Sequence, residues 1–178
     1  MFRHLPNILT ISRIIIIPLL VGSFYLETNL SYKVGAGLFM IAGITDFFDG
    51  YLARAWSIQS KLGRFLDPIA DKLLVGAAIL MLVHFNRANI FPALAIICRE
   101  ILVSGLREFL AELHIGMPVS NMAKMKTALQ MGAIFLLLLG ANGSYINLVG
   151  QIALWMAAAL TLFTGYAYLQ AGLNHMDD

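Results

Sequence analysis

The sequence has few ionisable residues and almost no cysteine. Charged residues are only 12% of the 178 residues, whereas a typical soluble domain carries about 25%. The single cysteine, Cys98, excludes an internal disulfide and a site built from several thiolates. Because Cys98 lies in an apolar run, we expect it to be a buried small residue. The net charge of +2 is too small to indicate nucleic acid as a partner.

Apolar residues are abundant instead, at 60% of the chain with a mean hydropathy of +0.80. This composition predicts an integral membrane protein, because a helix that crosses a bilayer needs about 20 mostly apolar residues. We expect an all-α fold in which residues 1–178 form a single domain of six transmembrane helices. The predicted spans are residues 8–26, 34–56, 65–83, 90–110, 127–139 and 146–169, with polar connections at 27–33, 57–64, 84–89, 107–126 and 141–144.

Four aspartates form two pairs, one near the end of the second span and one near the start of the third. Asp46 and Asp49 are spaced i,i+3, and Asp67 and Asp71 are spaced i,i+4, so each pair lies on one face of a helix. Such carboxylates need a counter-charge in an apolar setting, and an all-oxygen ligand set suits Mg²⁺ or Mn²⁺. The alternative is a set of solvated loop charges paired with basic residues, namely Arg54, Lys61, Arg64 and Lys72.

Basic residues are unevenly distributed between the two sides of this six-span arrangement. Eight lie on one side and two on the other, while Lys72 and Arg99 lie within spans. The larger group is Arg3, Arg13, Arg54, Lys61, Arg64, Arg107, Lys124 and Lys126, and the smaller is Lys33 and Arg87. Because basic residues are enriched on the cytoplasmic side, we predict that both termini are cytoplasmic. The aspartates would then line a polar metal-binding cavity that is open to the cytoplasmic side.

Arg54 lies five residues after Asp49, near the same end of its helix. A guanidinium can bind a phosphate through two hydrogen bonds, and a divalent metal with an arginine neutralises charge as a phosphate anhydride breaks. These residues predict a membrane enzyme that acts on a pyrophosphate-linked lipid. A cation or proton transporter is the second interpretation, although transporters often show inverted repeats that this sequence lacks. A structural membrane protein, the third interpretation, leaves the clustered aspartates unexplained.

The spacing of these residues resembles a known family signature. The chain reads Asp46-x-x-Asp49-Gly50-x-x-Ala53-Arg54, then eight residues, then Gly63-x-x-x-Asp67-x-x-x-Asp71. This is similar to the signature of the CDP-alcohol phosphatidyltransferases, with every position filled. Further patterns resemble the bacterial CDP-diacylglycerol–glycerol-3-phosphate 3-phosphatidyltransferases, or phosphatidylglycerophosphate synthases. These patterns are Leu5-Pro6-Asn7-Ile8-Leu9-Thr10-x-x-Arg13, Arg99-Glu100-x-x-x-Ser104-x-Leu106-Arg107-Glu108 and Lys124-x-Lys126-Thr127-x-x-Gln130.

The resemblance implies transfer of the phosphatidyl group from CDP-diacylglycerol to sn-glycerol 3-phosphate by metal-assisted direct displacement. Two divalent ions, Mg²⁺ or Mn²⁺, would be held by four carboxylates, those of Asp46, Asp49, Asp67 and Asp71. Asp71 would also take the proton from the acceptor hydroxyl. The residues implied to bind the CDP-lipid are Asn7, Thr10, Arg13, Gly50, Ala53, Arg54 and Gly63. Anchoring at the membrane interface is the alternative for Asn7, Thr10 and Arg13.

A phosphorylated acceptor is a small dianion and needs a basic pocket. The candidates are Arg99, Arg107, Lys124 and Lys126, of which we favour Lys126 and Arg107 for the phosphate. Arg99 is notable because it lies inside an apolar span, where its alternative role is a salt bridge to Glu100 or Glu108. The others could equally be cytoplasmic charges that orient the chain. Inositol phosphate, serine and phosphatidylglycerol remain alternative acceptors.

The resemblance also suggests a homodimer in the bacterial cytoplasmic (inner) membrane, with a multi-pass topology and contact with membrane lipid. Several aromatic residues lie near predicted span ends and are interpreted as bilayer anchors. These are Phe24, Tyr25, Trp56, Tyr166 and Tyr168.

Overall fold

The part of the chain that the structure describes folds into a bundle of six α-helices. The computed structural model describes the backbone of residues 5–26, 30–55, 61–113 and 121–174, and the side chains within 11–26, 30–46, 66–113 and 121–170. No β-strand occurs in these ranges, which confirms the all-α class. The helices are α1 (Leu5–Ser23), α2 (Leu30–Ala55), α3 (Lys61–His84), α4 (Ile90–Glu112), α5 (Asn121–Leu139) and α6 (Tyr145–Asn174).

Two of the predicted connections have the expected local chemistry. Asn89 precedes α4, and its side chain accepts a hydrogen bond from the backbone N–H of Phe91 at 3.0 Å. An asparagine at this position satisfies one of the N–H groups that the first helical turn leaves unpaired. Between α5 and α6, Gly143 adopts a φ of 76°, a conformation that favours glycine, so the chain reverses there as predicted.

The other polar connections are shorter than predicted, because the helices continue beyond their apolar parts. α2 begins at Leu30 and α3 at Lys61, inside stretches that we expected to be loops. α4 continues to Glu112 and α5 begins at Asn121, so Arg107, Lys124 and Lys126 are helical. Lysine, arginine and glutamate are good helix formers, and a helix does not end where its side chains become polar.

All six helices contribute to one apolar core. α1 packs against α2 and α3, α5 packs against α2 and α6, and α4 packs mainly against α6. Each helix places at least one almost fully buried side chain in this core. Representatives in helix order are Leu20, Phe39, Ile79, Ile96, Ile134 and Leu154. Packing in this core holds the helices in fixed positions relative to one another, and so also the polar side chains at their ends.

Arg87, in the connection between α3 and α4, is 4% exposed. Its Nη2 lies 2.5 to 2.8 Å from three main-chain oxygens, those of Leu137 and Leu138 in α5 and of Gly140 just after it, which share its two N–H groups. Its guanidinium also lies 4.1 Å from the ring centroid of Tyr32 in α2. Burial is the main effect on the pKa of Arg87 and lowers it from the ordinary value. We refer to these contacts as the Arg87 cap, since they satisfy carbonyls that a helix end leaves unpaired.

The outer surface of the bundle is apolar, and each helix exposes large hydrophobic side chains. Examples in helix order are Ile15, Ile41, Leu80, Leu102, Met125 and Phe163. Among the described residues, two helical stretches, 121–139 and 145–170, are by length and composition able to cross a membrane. Cys98 is also exposed, so our expectation of a buried thiol was wrong. A helix with apolar residues on both faces does not indicate in its sequence which of them point inward.

Candidate active site at one end of the bundle

The aspartates that the structure describes converge on one arginine. Asp46 lies in α2, and Asp67 and Asp71 lie in α3, as their helical spacing predicted. Arg13 Nη1 donates to Asp46 Oδ1 at 2.6 Å and to Asp71 Oδ1 at 2.5 Å. Arg13 Nη2 lies 3.3 Å from Asp67 Oδ1. We call Asp46, Asp67 and Asp71 the acidic cluster; it joins α1, α2 and α3.

Burial differs between the two sides of these ion pairs. The Arg13 side chain is 1% exposed, whereas those of Asp46, Asp67 and Asp71 are 45%, 39% and 45% exposed. Three carboxylates and one guanidinium leave a formal excess of two negative charges if all are ionised. Carboxylates that keep accessible surface and excess negative charge are suited to a further cation from solvent.

This donor chemistry fits a divalent metal ion. Within the described side chains, no three Asp, Glu, His or Cys residues enclose a common metal position. The carboxylates point to the Arg13 guanidinium instead, and the side chain of Asp49 lies outside the described residues. All-oxygen donors with net negative charge match the preference of Mg²⁺ and Mn²⁺.

Arg13 was predicted to contact the CDP-lipid or to anchor the chain at the membrane interface. An interfacial anchor requires an accessible guanidinium, so full burial among carboxylates shows that this alternative was wrong for Arg13. The other residues predicted to bind the CDP-lipid have backbone positions in α1, α2 and α3, but their side chains lie outside the described residues. These are Asn7, Thr10, Gly50, Ala53, Arg54 and Gly63.

The four basic residues predicted for the acceptor line a single cavity of about 600 Å³, which we call the basic cavity. Its walls come from α4 and α5, and its lining residues are Arg99, Glu100, Arg107, Ala123, Lys124, Lys126, Thr127 and Ala128. Lys126 and Arg99 are buried, whereas Arg107 and Lys124 are exposed. Buried cations that face a cavity attract an anion strongly, because little solvent screens them.

Glu100 is the acidic residue of this cavity. Its Oε1 accepts a hydrogen bond from Lys126 Nζ and lies 3.4 Å from Arg99 Nη1. The alternative that paired Arg99 with Glu100 is therefore confirmed as a contact, although Arg99 also lines the cavity. One carboxylate between two buried cations leaves the cavity with net positive charge.

A contact between α3 and α4 connects the basic cavity to the acidic cluster. Lys72 directly follows Asp71, and its Nζ donates to Ser104 Oγ on α4. Ser104 is one helical turn after Glu100, which pairs with Lys126 in the cavity. The two charged sites are therefore neighbours at the same end of the bundle.

The sequence missed the role of Tyr168. We interpreted it as a bilayer anchor, but it is 8% exposed and its ring lies against the guanidinium groups of Arg99 and Arg107. Tyr166 is 69% exposed, as an anchor requires. The sequence distinguishes Tyr166 from Tyr168 only by their positions along the helix, because residues two apart in a helix lie on nearly opposite faces.

A second cavity, of about 410 Å³, lies next to the connection between α3 and α4. Its lining residues are Val83, Asn86, Ala88, Asn89, Ile90, Gln151 and Trp155. None of these lining residues carries a charge, so this cavity lacks the groups that an anionic substrate requires.

Comparison with known proteins shows the family to which the chain belongs. The family model for CDP-alcohol phosphatidyltransferase matches residues 3–163. Relatives named CDP-diacylglycerol–glycerol-3-phosphate 3-phosphatidyltransferase include a Rickettsia bellii protein, 53% identical over 172 residues that cover 95% of each chain. A Rickettsia felis relative of the same name is 51% identical with the same coverage. One from Pseudomonas fluorescens is 41% identical over 179 residues, 97% of this chain and 92% of the relative. The chain thus belongs to the CDP-alcohol phosphatidyltransferase family.

Proposed function

We propose that the protein transfers the phosphatidyl group of CDP-diacylglycerol to sn-glycerol 3-phosphate, giving phosphatidylglycerophosphate and CMP. The observation that carries this proposal is that an acidic cluster and a basic cavity lie on adjoining helices, joined next to both sites by the contact between Lys72 and Ser104. Such a pair of sites suits two anionic substrates, one bound through metal ions on carboxylates and the other bound directly by basic side chains. The printed names of relatives at 41% to 53% identity support the same reaction.

The acidic side is the proposed site of the CDP-lipid diphosphate. The family generally depends on a divalent metal, and the proposed ligands here are Asp46, Asp49, Asp67 and Asp71. When bound, Mg²⁺ or Mn²⁺ would withdraw electron density from the diphosphate oxygens and stabilise the charge that develops on CMP. Arg54 is proposed to bind the diphosphate, and Gly50, Ala53 and Gly63 to allow close approach of the donor to the backbone. Asn7 and Thr10 are proposed to assist, whereas the buried Arg13 would contribute by holding the carboxylates in place.

Asp71 is the proposed base. Its Oδ1 is bound by Arg13, so Oδ2 is the oxygen that would take the proton from the acceptor hydroxyl. The acceptor oxygen then forms a bond with the lipid-side phosphorus while the bond from that phosphorus to CMP breaks. Arg13 would keep the carboxylate oriented through this step, because it holds Asp71 together with Asp46.

The basic cavity is the proposed site of the acceptor phosphate. Lys126 and Arg107 would neutralise the phosphate, with Arg99 and Lys124 contributing to the positive field. The net positive charge of the cavity favours a phosphorylated acceptor, such as glycerol phosphate or inositol phosphate, over serine. A transporter has less support, since a basic cavity next to the acidic cluster hinders passage of cations.

The proposed setting is a six-span bundle in the cytoplasmic membrane of a bacterium, with both termini and the charged end on the cytoplasmic side. The shortest helices have 19 residues, which at 1.5 Å per residue span about 30 Å, the thickness of the hydrocarbon core. The apolar exterior supports this setting. α2, α3 and α4 also carry ionisable groups, which lowers their mean hydropathy. A single domain of residues 1–178 and a homodimer are part of the proposal.

The test is a CMP-release assay with purified protein, CDP-diacylglycerol and a panel of acceptors. We expect release with sn-glycerol 3-phosphate, loss of release with a chelator, and recovery on addition of Mg²⁺ or Mn²⁺. Release with serine, inositol phosphate or phosphatidylglycerol alone would assign a different acceptor. Absence of release with every acceptor, together with cation flux in proteoliposomes, would contradict the enzyme and support a transporter.

A further inference from the structure

Tyr168 contacts two cationic side chains of the basic cavity without lining the cavity itself. Its ring centroid lies 5.8 Å from Cζ of Arg99 and 5.5 Å from Cζ of Arg107. Both distances lie within the range of about 6 Å over which a cation is attracted to an aromatic face. Tyr168 is outside the lining, so it acts on a bound anion through its neighbours, which are the two arginines and Ala123 of the lining.

Two further residues of α6 hold Arg99 from the same side. Thr164 Oγ1, one helical turn before Tyr168, accepts a hydrogen bond from Arg99 Nη2 at 3.2 Å. At Gly165 an added Cβ would lie 2.8 Å from Arg99 Cγ, so a glycine is needed for the arginine to pass so close to the helix. We call Thr164, Gly165 and Tyr168 the α6 cradle.

The α6 cradle lowers the free-energy cost of holding the Arg99 and Arg107 side chains close together. Two guanidinium groups against one ring repel each other, and long side chains lose conformational entropy when they are held in one place. The negative face of the ring and the Thr164 hydroxyl offset part of this cost before any ligand binds. Arginines that are held in advance bind an anion more tightly than arginines that must first become ordered.

We propose that the α6 cradle positions Arg99 and Arg107 for the phosphate of the acceptor, and thereby selects acceptors that carry a phosphomonoester. This inference rests on the proposed function. Tyr168, Thr164 and Gly165 are positioning residues, since they act through the arginines.

The test uses the purified full-length protein and compares Tyr168→Leu with Tyr166→Leu, the same change on the exposed face of the same helix. Tyr168→Leu is expected to raise the Michaelis constant for sn-glycerol 3-phosphate about tenfold, from the loss of one cation–π contact with the buried Arg99 and one with the exposed Arg107. The constant for CDP-diacylglycerol and the turnover number should change less than twofold. Tyr168→Phe keeps the ring and should raise the acceptor constant less than twofold, as should Tyr166→Leu.

The outcomes separate this inference from the proposed function. If the wild type releases no CMP with any acceptor, the proposed function fails. If the wild type is active but Tyr168→Leu keeps the wild-type acceptor constant, or changes the constants for both substrates equally, the positioning role is wrong while the proposed function stands.

If Tyr168→Leu does not fold, Thr164→Val tests the same positioning role. Valine has nearly the same shape as threonine but cannot accept the hydrogen bond from Arg99. An acceptor constant raised about threefold with an unchanged donor constant would support the positioning role, as the loss of one hydrogen bond of this kind predicts. An unchanged acceptor constant in Thr164→Val would overturn it.

Discussion

Substitution of Arg13 by methionine should destabilise the protein and increase its dependence on metal. Methionine retains most of the buried aliphatic stem and removes the guanidinium that joins Asp46, Asp67 and Asp71. Removal of one partner of a fully buried ion pair costs about 3–5 kcal/mol. The carboxylates here are 39% to 45% exposed, so solvent recovers part of that cost and we expect a loss of about 3 kcal/mol.

The loss is measurable as a change in melting temperature. For a chain of this length, 1 kcal/mol corresponds to about 2–4 °C, so Arg13→Met should melt about 10 °C lower in the presence of a chelator. Without the guanidinium, the acidic cluster has a formal excess of three negative charges rather than two. A divalent cation should therefore bind the variant's folded state more favourably, and Mg²⁺ should raise its melting temperature more than that of the wild type.

The assay is thermal unfolding of detergent-solubilised protein, followed by intrinsic fluorescence with chelator and across a Mg²⁺ titration. Lys33→Met is the matched control, because it removes an exposed cation from α2 and should leave the melting temperature unchanged. If Arg13→Met melts with the wild type in chelator, the ion pairs of Arg13 do not hold α1, α2 and α3 together. If the variant loses its response to Mg²⁺, the acidic cluster is not the metal site.

Three further predictions concern the charged residues. Asp67→Asn and Asp71→Asn should each abolish CMP release while membrane insertion is retained; near-normal turnover of purified Asp71→Asn would mean that another group is the base. Lys126→Ala and Arg107→Ala should raise the Michaelis constant for the acceptor at least tenfold and that for the lipid donor less, and equal changes would place the phosphate elsewhere. Arg87→Met should lower the melting temperature by about 10 °C, equivalent to about 3 kcal/mol, and an unaltered melting curve would show that the Arg87 cap is dispensable.

The helical fold and the proximity of the aspartates were predictable because both depend on local periodicity. Asp46 and the pair in α3 lie on helices, as their i,i+3 and i,i+4 spacings require. The position of Arg13 was not predictable, because it depends on tertiary contacts between residues 33 and 58 positions apart. The sequence could place Arg13 near the correct end of the bundle but not beneath the carboxylates.

Side-chain orientation was the least predictable feature. Tyr166 and Tyr168 are the same residue type near the same helix end, yet one is exposed and the other is buried against two arginines. Cys98 shows the opposite error: we expected it to be buried because its neighbours in sequence are apolar, but it is exposed. A bundle that is apolar on both its inner and outer surfaces lacks the contrast that normally indicates which face is buried.

The Arg87 cap has a consequence for tolerance of acid. Its acceptors are backbone carbonyls at the end of α5 and at Gly140 just after it, and its donor is a guanidinium. The contact therefore contains no group that gains or loses a proton in the range where carboxylates and amines titrate. In the proposed topology this end of the bundle faces the cell exterior, where the pH varies. Acidification that would break a lysine–glutamate pair should leave this junction closed, so the outer end should stay assembled when the surroundings of the cell become acidic.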